Sequence, residues 1–208
     1  LPNRLAYNER MHMEHARWER SGQHLSLVVL DIDRFKTIND SLGHDIGDHL
    51  LVAVAGVLAG CVRETDSLAR GSDAASTEAV FRLGGDEFTI LTEDPADTSS
   101  VKTIAERILA ALNRPFMIAE HELYTSASIG IALYDGHEDA DMDGLIKQAD
   151  IAMYRSKELG RDTYFFFDAE LDKVSNVRHQ LESSLRHALE RGEFVLHYQP
   201  KIDLTTGL

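Results

Sequence analysis

The chain has 208 residues, 43% of them apolar, which is enough for one full hydrophobic core and a small appendage. Its 21 Lys and Arg against 35 Asp and Glu give a net charge of −14, so a nucleic-acid partner or an anionic membrane surface is disfavoured on electrostatic grounds. Cys61 is the only cysteine, which excludes an internal disulfide and fits a reducing cytosol, and no apolar run approaches the roughly 20 residues of a membrane helix.

Taken in chain order, the apolar periodicity predicts alternating helices and strands. Helices are expected at residues 3–20, 46–62, 101–112 and 145–159, and strands at 25–31, 67–70, 80–83, 87–91, 122–134 and 163–167. This alternation predicts an α/β fold in which helices cover the faces of a sheet.

Two glycines and two acids stand between apolar, strand-like segments at residues 82–88, which we call the Gly-Gly hairpin. Gly84 and Gly85 permit a tight turn and a close approach of a ligand to the backbone, while Asp86 and Glu87 repel each other unless a cation neutralises them. The pattern alone favours an ordinary hairpin with solvated acids. A second acidic element elsewhere changes that interpretation to a site for phosphate and metal.

The second acidic element follows the apolar run 27–30, which ends at Asp31 and Asp33. An apolar strand that ends in a carboxylate delivers it to the rim of a sheet, where a hard cation such as Mg2+ can be bound by a few oxygens and by substrate phosphates. The acids at the end of this strand and those of the Gly-Gly hairpin together predict a site for a pair of metal ions.

Two cations near the end of the predicted helix 145–159 form a third element. Lys157 and Arg161 are four residues apart, hence on one helical face if the helix continues through Gly160, and there they would clamp a polyphosphate. The alternative is a solvated helix end whose positive charges complement the helix dipole.

These elements resemble the GGDEF domain, the diguanylate cyclase family, which is similar to the palm of nucleotidyl cyclases and polymerases. The motifs occur in family order and cover residues 1–168: 1–4, 31–48, 82–88, 128–132 and 149–161. The resemblance implies a central, mainly antiparallel sheet flanked by helices.

The resemblance also implies the roles of site residues. Mg2+, or Mn2+ in its place, would be held by Asp31, the backbone carbonyl of Ile32, Asp86 and Glu87. Asp86 would also act as base for the attacking ribose hydroxyl. Guanine would be bound by Asn39 and Asp48, with His44 lining the same pocket. The β- and γ-phosphates would be neutralised by Lys36, Lys157 and Arg161, and Gly84 and Gly85 would let the backbone approach the α-phosphate.

The reaction implied by the family is the condensation of two GTP into cyclic di-GMP with release of pyrophosphate. Metal ions lower the pKa of the attacking hydroxyl and spread the charge of the transition state. Each domain binds one GTP, so we expect two domains to face each other in a homodimer.

One departure from the family pattern concerns product inhibition. The family places an Arg-x-x-Asp motif five residues before the two glycines, whereas here Arg63 and Asp66 lie much earlier and a small, polar insertion at 71–79 separates them from the hairpin. We expect Arg63 and Asp66 to be the inhibitory pair, returned to its usual place by strand pairing if the insertion bulges outward.

The remainder, residues 169–208, resembles the linker helix and first strand of an EAL phosphodiesterase domain. The apolar pattern predicts a helix at residues 174–189 and a strand at 194–200. Within this part of the chain, residues 185–189 and 192–200 match the sequence with which EAL domains begin. The Glu-Ala-Leu signature is absent, so no phosphodiesterase activity is expected of this chain itself. It starts at Leu1 inside a family motif, so we expect a longer cytoplasmic parent protein, with any sensor or membrane anchor upstream and an EAL domain downstream.

Two functions remain open from the sequence. One is an active diguanylate cyclase, favoured because the residues for metal, base and guanine are all present. The other is a catalytically silent GTP-binding module that controls the downstream EAL phosphodiesterase, favoured by the insertion and the tandem layout.

Overall fold

The computed structural model of the chain describes residues 1–21, 24–69, 80–94, 98–134, 142–168, 188 and 191–197. The chain divides into two compact units, Leu1–Leu171 and Asp172–Leu208. The helices and strands with assigned bounds belong to the first unit. Its helices are α1 (Arg4–Ser21), α2 (Phe35–Leu42), α3 (His44–Ala69), α4 (Thr98–Leu112) and α5 (Met142–Glu158). Its strands are β1 (His24–Ile32), β2 (Val80–Gly84), β3 (Glu87–Asp94), β4 (Phe116–Ile118), β5 (His121–Leu123), β6 (Ala127–Tyr134) and β7 (Thr163–Phe166).

Five strands form the main sheet in the order β2-β3-β1-β6-β7, and β4 and β5 form a separate two-stranded sheet. All neighbours in the main sheet are antiparallel except β6 and β7, which are parallel. Strand β1 lies at the centre because its apolar residues alternate to both faces and are buried on each, as Leu27, Val28 and Leu30 show. The expected fold, a mainly antiparallel sheet flanked by helices, is confirmed.

Helices cover both faces of the sheet. On one face, α3 and α4 pack through apolar residues at helical spacing, including Leu50, Val54 and Leu58 of α3. On the other face, α1 and α5 pack around Tyr7, whose ring meets that of Phe81 edge to face at 5.5 Å. These two layers bring the carboxyl end of β1, the Gly-Gly hairpin and the end of α5 to one edge of the sheet.

Helix α3 contains one segment, His44–Val62, that is long and apolar enough to cross a membrane by length and composition, with a mean hydropathy of 1.6. No such segment was expected from the sequence. Leu50, Val54 and Leu58 of this segment are fully buried against the sheet, as in a core helix, and 39% of the segment is buried in all.

Two strands predicted in the first unit are wrong in the structure. Residues 67–69, expected in a strand, continue α3, because a helix anchored by its apolar first turns can extend through polar residues. The strand expected at 122–134 is two strands, β5 and β6, in different sheets. The predicted helix 145–159 is found as α5, which ends at Glu158. The condition for a shared face of Lys157 and Arg161, a helix that continues through Gly160, is not met, because Gly160 adopts a positive φ of 117°.

The C-terminal predictions fall largely outside the described residues, which omit most of the expected helix 174–189 and all of 198–208. Residues 191–197 are described and contain no strand, although 194–200 were expected to form one. Phe194, Val195 and Leu196 are exposed there. A strand requires a hydrogen-bonded partner, and none is paired with these residues in the described part of the chain.

Candidate functional site

Strand β1 ends beside the Gly-Gly hairpin. Asp31 pairs with Glu87 in the antiparallel register, and the Ile32 amide donates a hydrogen bond to the Asp86 carbonyl at 3.3 Å. The four residues predicted to bind metal are therefore adjacent along two neighbouring strands. Asp86 is half-buried in the turn and Glu87 is exposed.

The electrostatics of this edge reflect crowded carboxylates. Burial raises the pKa of the Asp31 carboxyl, the Lys157 ammonium lowers it, and the nearby negative charges of Asp86 and Glu87 raise it. The Lys157 Nζ atom lies 2.8 Å from Asp31 Oδ2. Lys157 thus neutralises part of the charge that would otherwise be concentrated at the end of β1.

The donor set fits a hard divalent cation that is bound together with phosphates. Among the described residues, no group of three or more His, Cys, Asp or Glu side chains is arranged to hold a metal alone. Mg2+ commonly uses one or two carboxylates and completes its shell with water and substrate phosphates. Asp31 and the hairpin acids match that requirement, whereas zinc would need more protein ligands.

Asp150 of α5 was not predicted as a site residue, yet the charges of Glu87 and Lys157 act on its carboxyl group. Burial and then the negative charge of Glu87 raise the pKa of Asp150 to about 6, and Lys157 lowers it. Helix α5 therefore places both a carboxyl group, on Asp150, and an ammonium group, on Lys157, near the acids at this edge of the sheet.

A cavity of about 350 Å³ lies between the Gly-Gly hairpin and α3. Its size is within the range of small-molecule sites. The glycines Gly84 and Gly85 form one wall, and the remaining lining residues are Leu1, Asn3, Leu51, Val52, Ala55, Arg82 and Phe88. Most of the side chains in this lining are apolar.

The junction between α2 and α3 carries the predicted guanine contacts. Asn39 is half-buried, and its Oδ1 atom is buried without a hydrogen-bond partner among the described residues. A Cβ atom on Gly47 would overlap that oxygen, so the Asn39 amide lies directly against Gly47. Asp48 is exposed one turn before Leu51 and Val52, on the helical face that lines the cavity.

Other predicted residues are not joined to this arrangement by any described contact. Lys36 and His44 are exposed, at the starts of α2 and α3. Arg63 and Asp66 lie in α3, with Arg63 about 28 Å along the axis from His44. Their backbone is helical, so the expected strand pairing is wrong, and their side chains lie outside the described part of the structure.

Arg161 reaches the end of β1 from the turn that follows α5. Its Nε atom lies 3.8 Å from Asp33 Oδ1, so Lys157 and Arg161 face two acids that are two residues apart in one strand end. The sequence assigned no role to Asp33. The only trace of Asp33 in the sequence was its place directly after the apolar strand, which does not reveal its contact with Arg161.

Arg82 also had no assigned role. Its Nε and Nη2 atoms donate hydrogen bonds to the Gly85 carbonyl at 2.9 and 2.8 Å. This bidentate contact closes the Gly-Gly hairpin, in which Gly85 has a φ of 56°. The position of Arg82 beside the two glycines was the only sequence signal.

Comparison with known proteins gives a consistent result. The model of the diguanylate cyclase GGDEF domain family matches residues 1–75 and 71–163. The bifunctional diguanylate cyclase/cyclic di-GMP phosphodiesterase MucR of Pseudomonas aeruginosa is 39% identical over 209 residues, covering 100% of this chain and 28% of MucR. The cyclic di-GMP phosphodiesterase PdeR of Escherichia coli is 38% identical over 202 residues, covering 97% of this chain and 28% of PdeR.

A solved structure agrees with these relatives. The GGDEF domain of Pseudomonas aeruginosa YfiN (TpbB) matches with a TM-score of 0.70 and 33% identity, covering 81% of this chain and 97% of that chain. The present chain spans 28% of the length of each of the two curated relatives. It belongs to the GGDEF domain family of diguanylate cyclases.

Proposed function

We propose that this domain condenses two GTP molecules into cyclic di-GMP and releases pyrophosphate. The observation that carries the proposal is the single sheet edge where Asp31, the Gly-Gly hairpin and Lys157 meet. Carboxylates for a cation and a cation for phosphates lie side by side there, as phosphoryl transfer requires.

Different residues of the domain are assigned to phosphate binding, metal binding and proton transfer. In the proposal, Lys157 and Arg161 orient the β- and γ-phosphates, with Lys36 approaching from α2. The backbone of Gly84 and Gly85 lies beside the α-phosphate, and the Asp86 carboxylate accepts the proton of the 3′-hydroxyl. Mg2+ or Mn2+, when bound by Asp31, Ile32 and the hairpin acids, supplies charge neutralisation and lowers the pKa of that hydroxyl.

Guanine recognition is assigned to the α2–α3 junction. Asp48 is an exposed acceptor near the apolar cavity wall. The Asn39 Oδ1 atom is buried against Gly47 and unpaired among the described residues, so the Asn39 amide would turn toward the base to accept a second hydrogen bond. Guanine offers N1 and N2 donors that adenine lacks, so adenine would leave the Asn39 oxygen unpaired. His44 borders the same junction.

Two copies must meet, because each site holds one of the two reacting nucleotides. We therefore propose a homodimer that forms the product twice across its axis. In the parent protein, which we place in the cytoplasm, residues 169–208 would lead into an EAL domain. Arg63 and Asp66 remain our proposal for a product-binding pair.

The alternative function is a silent GTP-binding module that regulates an attached phosphodiesterase. The relative PdeR, a cyclic di-GMP phosphodiesterase that aligns with 97% of this chain, favours it. The two functions share GTP binding and differ only in turnover.

The test is product analysis by mass spectrometry after incubation with GTP and Mg2+, over a series of protein concentrations. Cyclic di-GMP should form, with specific activity rising with concentration as copies associate. Asp86→Asn should abolish turnover, whereas Glu120→Gln, at an exposed residue of the β4–β5 turn, should not. GTP binding without product would establish the silent module, and no GTP binding would eliminate both functions.

A further inference from the structure

Asp33 is a buried carboxylate with an unusual set of partners. It is 4% exposed, and its Oδ2 and Oδ1 atoms accept hydrogen bonds from the Ser126 and Ser128 hydroxyls at 2.6 and 2.7 Å. Burying a charge is costly unless it is paired and fully hydrogen-bonded. Two hydroxyl groups alone are a weak reason to keep an acid at this position.

The remaining partners of Asp33 come from the turn between α5 and β7. The Asp162 amide donates to Asp33 Oδ2 at 3.3 Å, and Arg161 Nε lies 3.8 Å from Oδ1. Asp33 thus contacts both residues of the turn that follow Gly160, one through its backbone and one through its side chain.

This turn has a strained backbone. Arg161 and Asp162 both have positive φ, of 67° and 49°, in succession. Each non-glycine residue in that region costs about 1–2 kcal/mol, so the conformation persists only where the surroundings fix it. Besides Asp33, Asn113 Nδ2 donates to the Asp162 carboxylate at 2.9 Å, and the Arg161 amide donates to the Ser156 carbonyl at 3.0 Å.

The orientation of Arg161 follows from these contacts. Its Nε atom faces Asp33, and within the described part of the chain no partner is assigned to its two terminal nitrogens. Its side chain is 47% exposed, so the ion pair itself adds little stability. Asp33 therefore contributes more to where the guanidinium lies than to how tightly the domain is folded.

We propose that Asp33 is a positioning residue that holds the Gly160–Asp162 turn and aims the Arg161 guanidinium at the polyphosphate of a nucleoside triphosphate. Asp31 and Asp33 then have parallel tasks at one strand end, the first facing Lys157 and the second Arg161. The phosphate part of this inference rests on the proposed function.

A double-mutant cycle tests the inference, with Asp33→Asn, Arg161→Ala and the double variant titrated with GTP and with GMP in the presence of Mg2+. Asp33→Asn and Arg161→Ala should each weaken GTP binding about tenfold, because coupled neighbours commonly interact at that scale. GMP affinity should change less than about twofold, since it lacks the β- and γ-phosphates. The double variant should be no weaker than either single variant, and Glu120→Gln should match the wild type.

Amide hydrogen exchange provides a readout that needs no nucleotide. The Asp162 amide should lose protection in Asp33→Asn and keep it in Glu120→Gln. If Asp33→Asn does not fold, Ser126→Ala, which removes one support of the Asp33 carboxylate, should shift both readouts in the same direction to a smaller extent.

The outcomes separate the two claims. Additive losses in the cycle, equal losses for GTP and GMP, or unchanged Asp162 protection would each overturn the positioning role. A wild-type chain that does not bind GTP would eliminate the proposed function and the phosphate part of this inference, while hydrogen exchange would still decide whether Asp33 holds the turn.

Discussion

Lys157 Nζ lies 2.8 Å from Asp31 Oδ2, so a cation proposed to bind phosphate is paired with a carboxylate proposed to bind metal. The two groups are partly buried, with side-chain exposures of 28% and 14%. Coulombic attraction at this distance is weakly screened at the rim of a sheet. Under the proposed function, a divalent cation at Asp31 would compete with Lys157, and nucleotide phosphates would relieve that competition by offering Lys157 another anion.

Lys157→Met should shift metal and nucleotide affinities in opposite directions. Binding of Mn2+ alone, followed by electron paramagnetic resonance at pH 8, should tighten by about threefold to tenfold because the competing ammonium is gone. GTP binding should weaken by about tenfold because a phosphate contact is lost.

The matched control is Lys147→Met, which replaces an exposed lysine on the same helix. The measurement belongs at pH 8 because loss of Lys157 removes the interaction that lowers the pKa of Asp31, so protons compete more strongly at lower pH. Weaker Mn2+ binding in Lys157→Met at pH 8 would contradict the competition.

Gly47→Ala should reduce discrimination between guanine and adenine nucleotides. The new Cβ overlaps Asn39 Oδ1 and lies 3.1 Å from Phe35 Cζ, so the Asn39 amide must move away from α3. The ratio of GTP to ATP affinity, measured by calorimetry, should fall about tenfold, since a displaced acceptor no longer pairs with guanine.

Gly56→Ala is the control for helix propensity. Gly56 lies in the same helix, and a Cβ there meets nothing within 4 Å. This variant should keep the GTP to ATP ratio and gain up to about 1 kcal/mol of unfolding free energy. An unchanged ratio in Gly47→Ala would show that Asn39 does not select the base.

Asp150→Asn should stabilise the domain at neutral pH. The pKa of Asp150 is raised to about 6 from 3.8, so its ionisation disfavours the folded state at every pH above about 6, and this penalty disappears as the pH falls below 3.8. The gain in unfolding free energy should stay below about 1 kcal/mol because the carboxyl group is only partly buried in a residue that is exposed as a whole, so water screens its interactions.

Chemical denaturation at pH 7.5 and pH 4 checks this sign. The stability difference between Asp150→Asn and the wild type should be present at pH 7.5 and much smaller at pH 4. Glu120→Gln should show no such trend. A difference that is larger at pH 4 would mean that Asp150 is stabilised as a carboxylate in the folded domain.

The sequence predicted the parts of the fold that bury apolar residues with a regular period. Strand β1 and the first turns of α3 carry long apolar patterns and were expected close to their observed places. Helix α2 was missed because only Phe35 of its eight residues is buried, which leaves no repeated apolar stripe. The extension of α3 through Ala69 was missed because residues 63–67 all have polar side chains, so no apolar pattern marks them as helical.

The site could be predicted less completely, since it depends on contacts between distant segments. The acids and glycines of the Gly-Gly hairpin are visible as neighbours in the sequence. The pairing of Asp31 with Lys157 and of Asp33 with Arg161 arises only when α5 packs beside β1. Residue spacing contains no information on that packing, so Asp33 and Asp150 were passed over.

Arg82→Lys should impair the site while leaving the domain folded. Lysine keeps the charge but lacks the planar pair of donors with which Arg82 Nε and Nη2 both reach the single Gly85 carbonyl oxygen, at 2.9 and 2.8 Å. The turn containing Gly85, with its φ of 56°, then loses the contact that fixes it beside the cavity. GTP affinity should fall about tenfold.

Thermal unfolding and GTP titration together distinguish this effect from a general loss of structure. Because Arg82 is exposed, Arg82→Lys should lower the unfolding free energy by less than about 1 kcal/mol. Its backbone amide donates to the Pro2 carbonyl at 3.1 Å and is retained in the variant, so the N-terminal segment keeps its anchor to β2. Arg114→Lys, at another exposed arginine, should change neither quantity. If GTP affinity is unchanged in Arg82→Lys, the two-point contact is dispensable and the strand pairing of β2 with β3 is sufficient to shape the Gly-Gly hairpin.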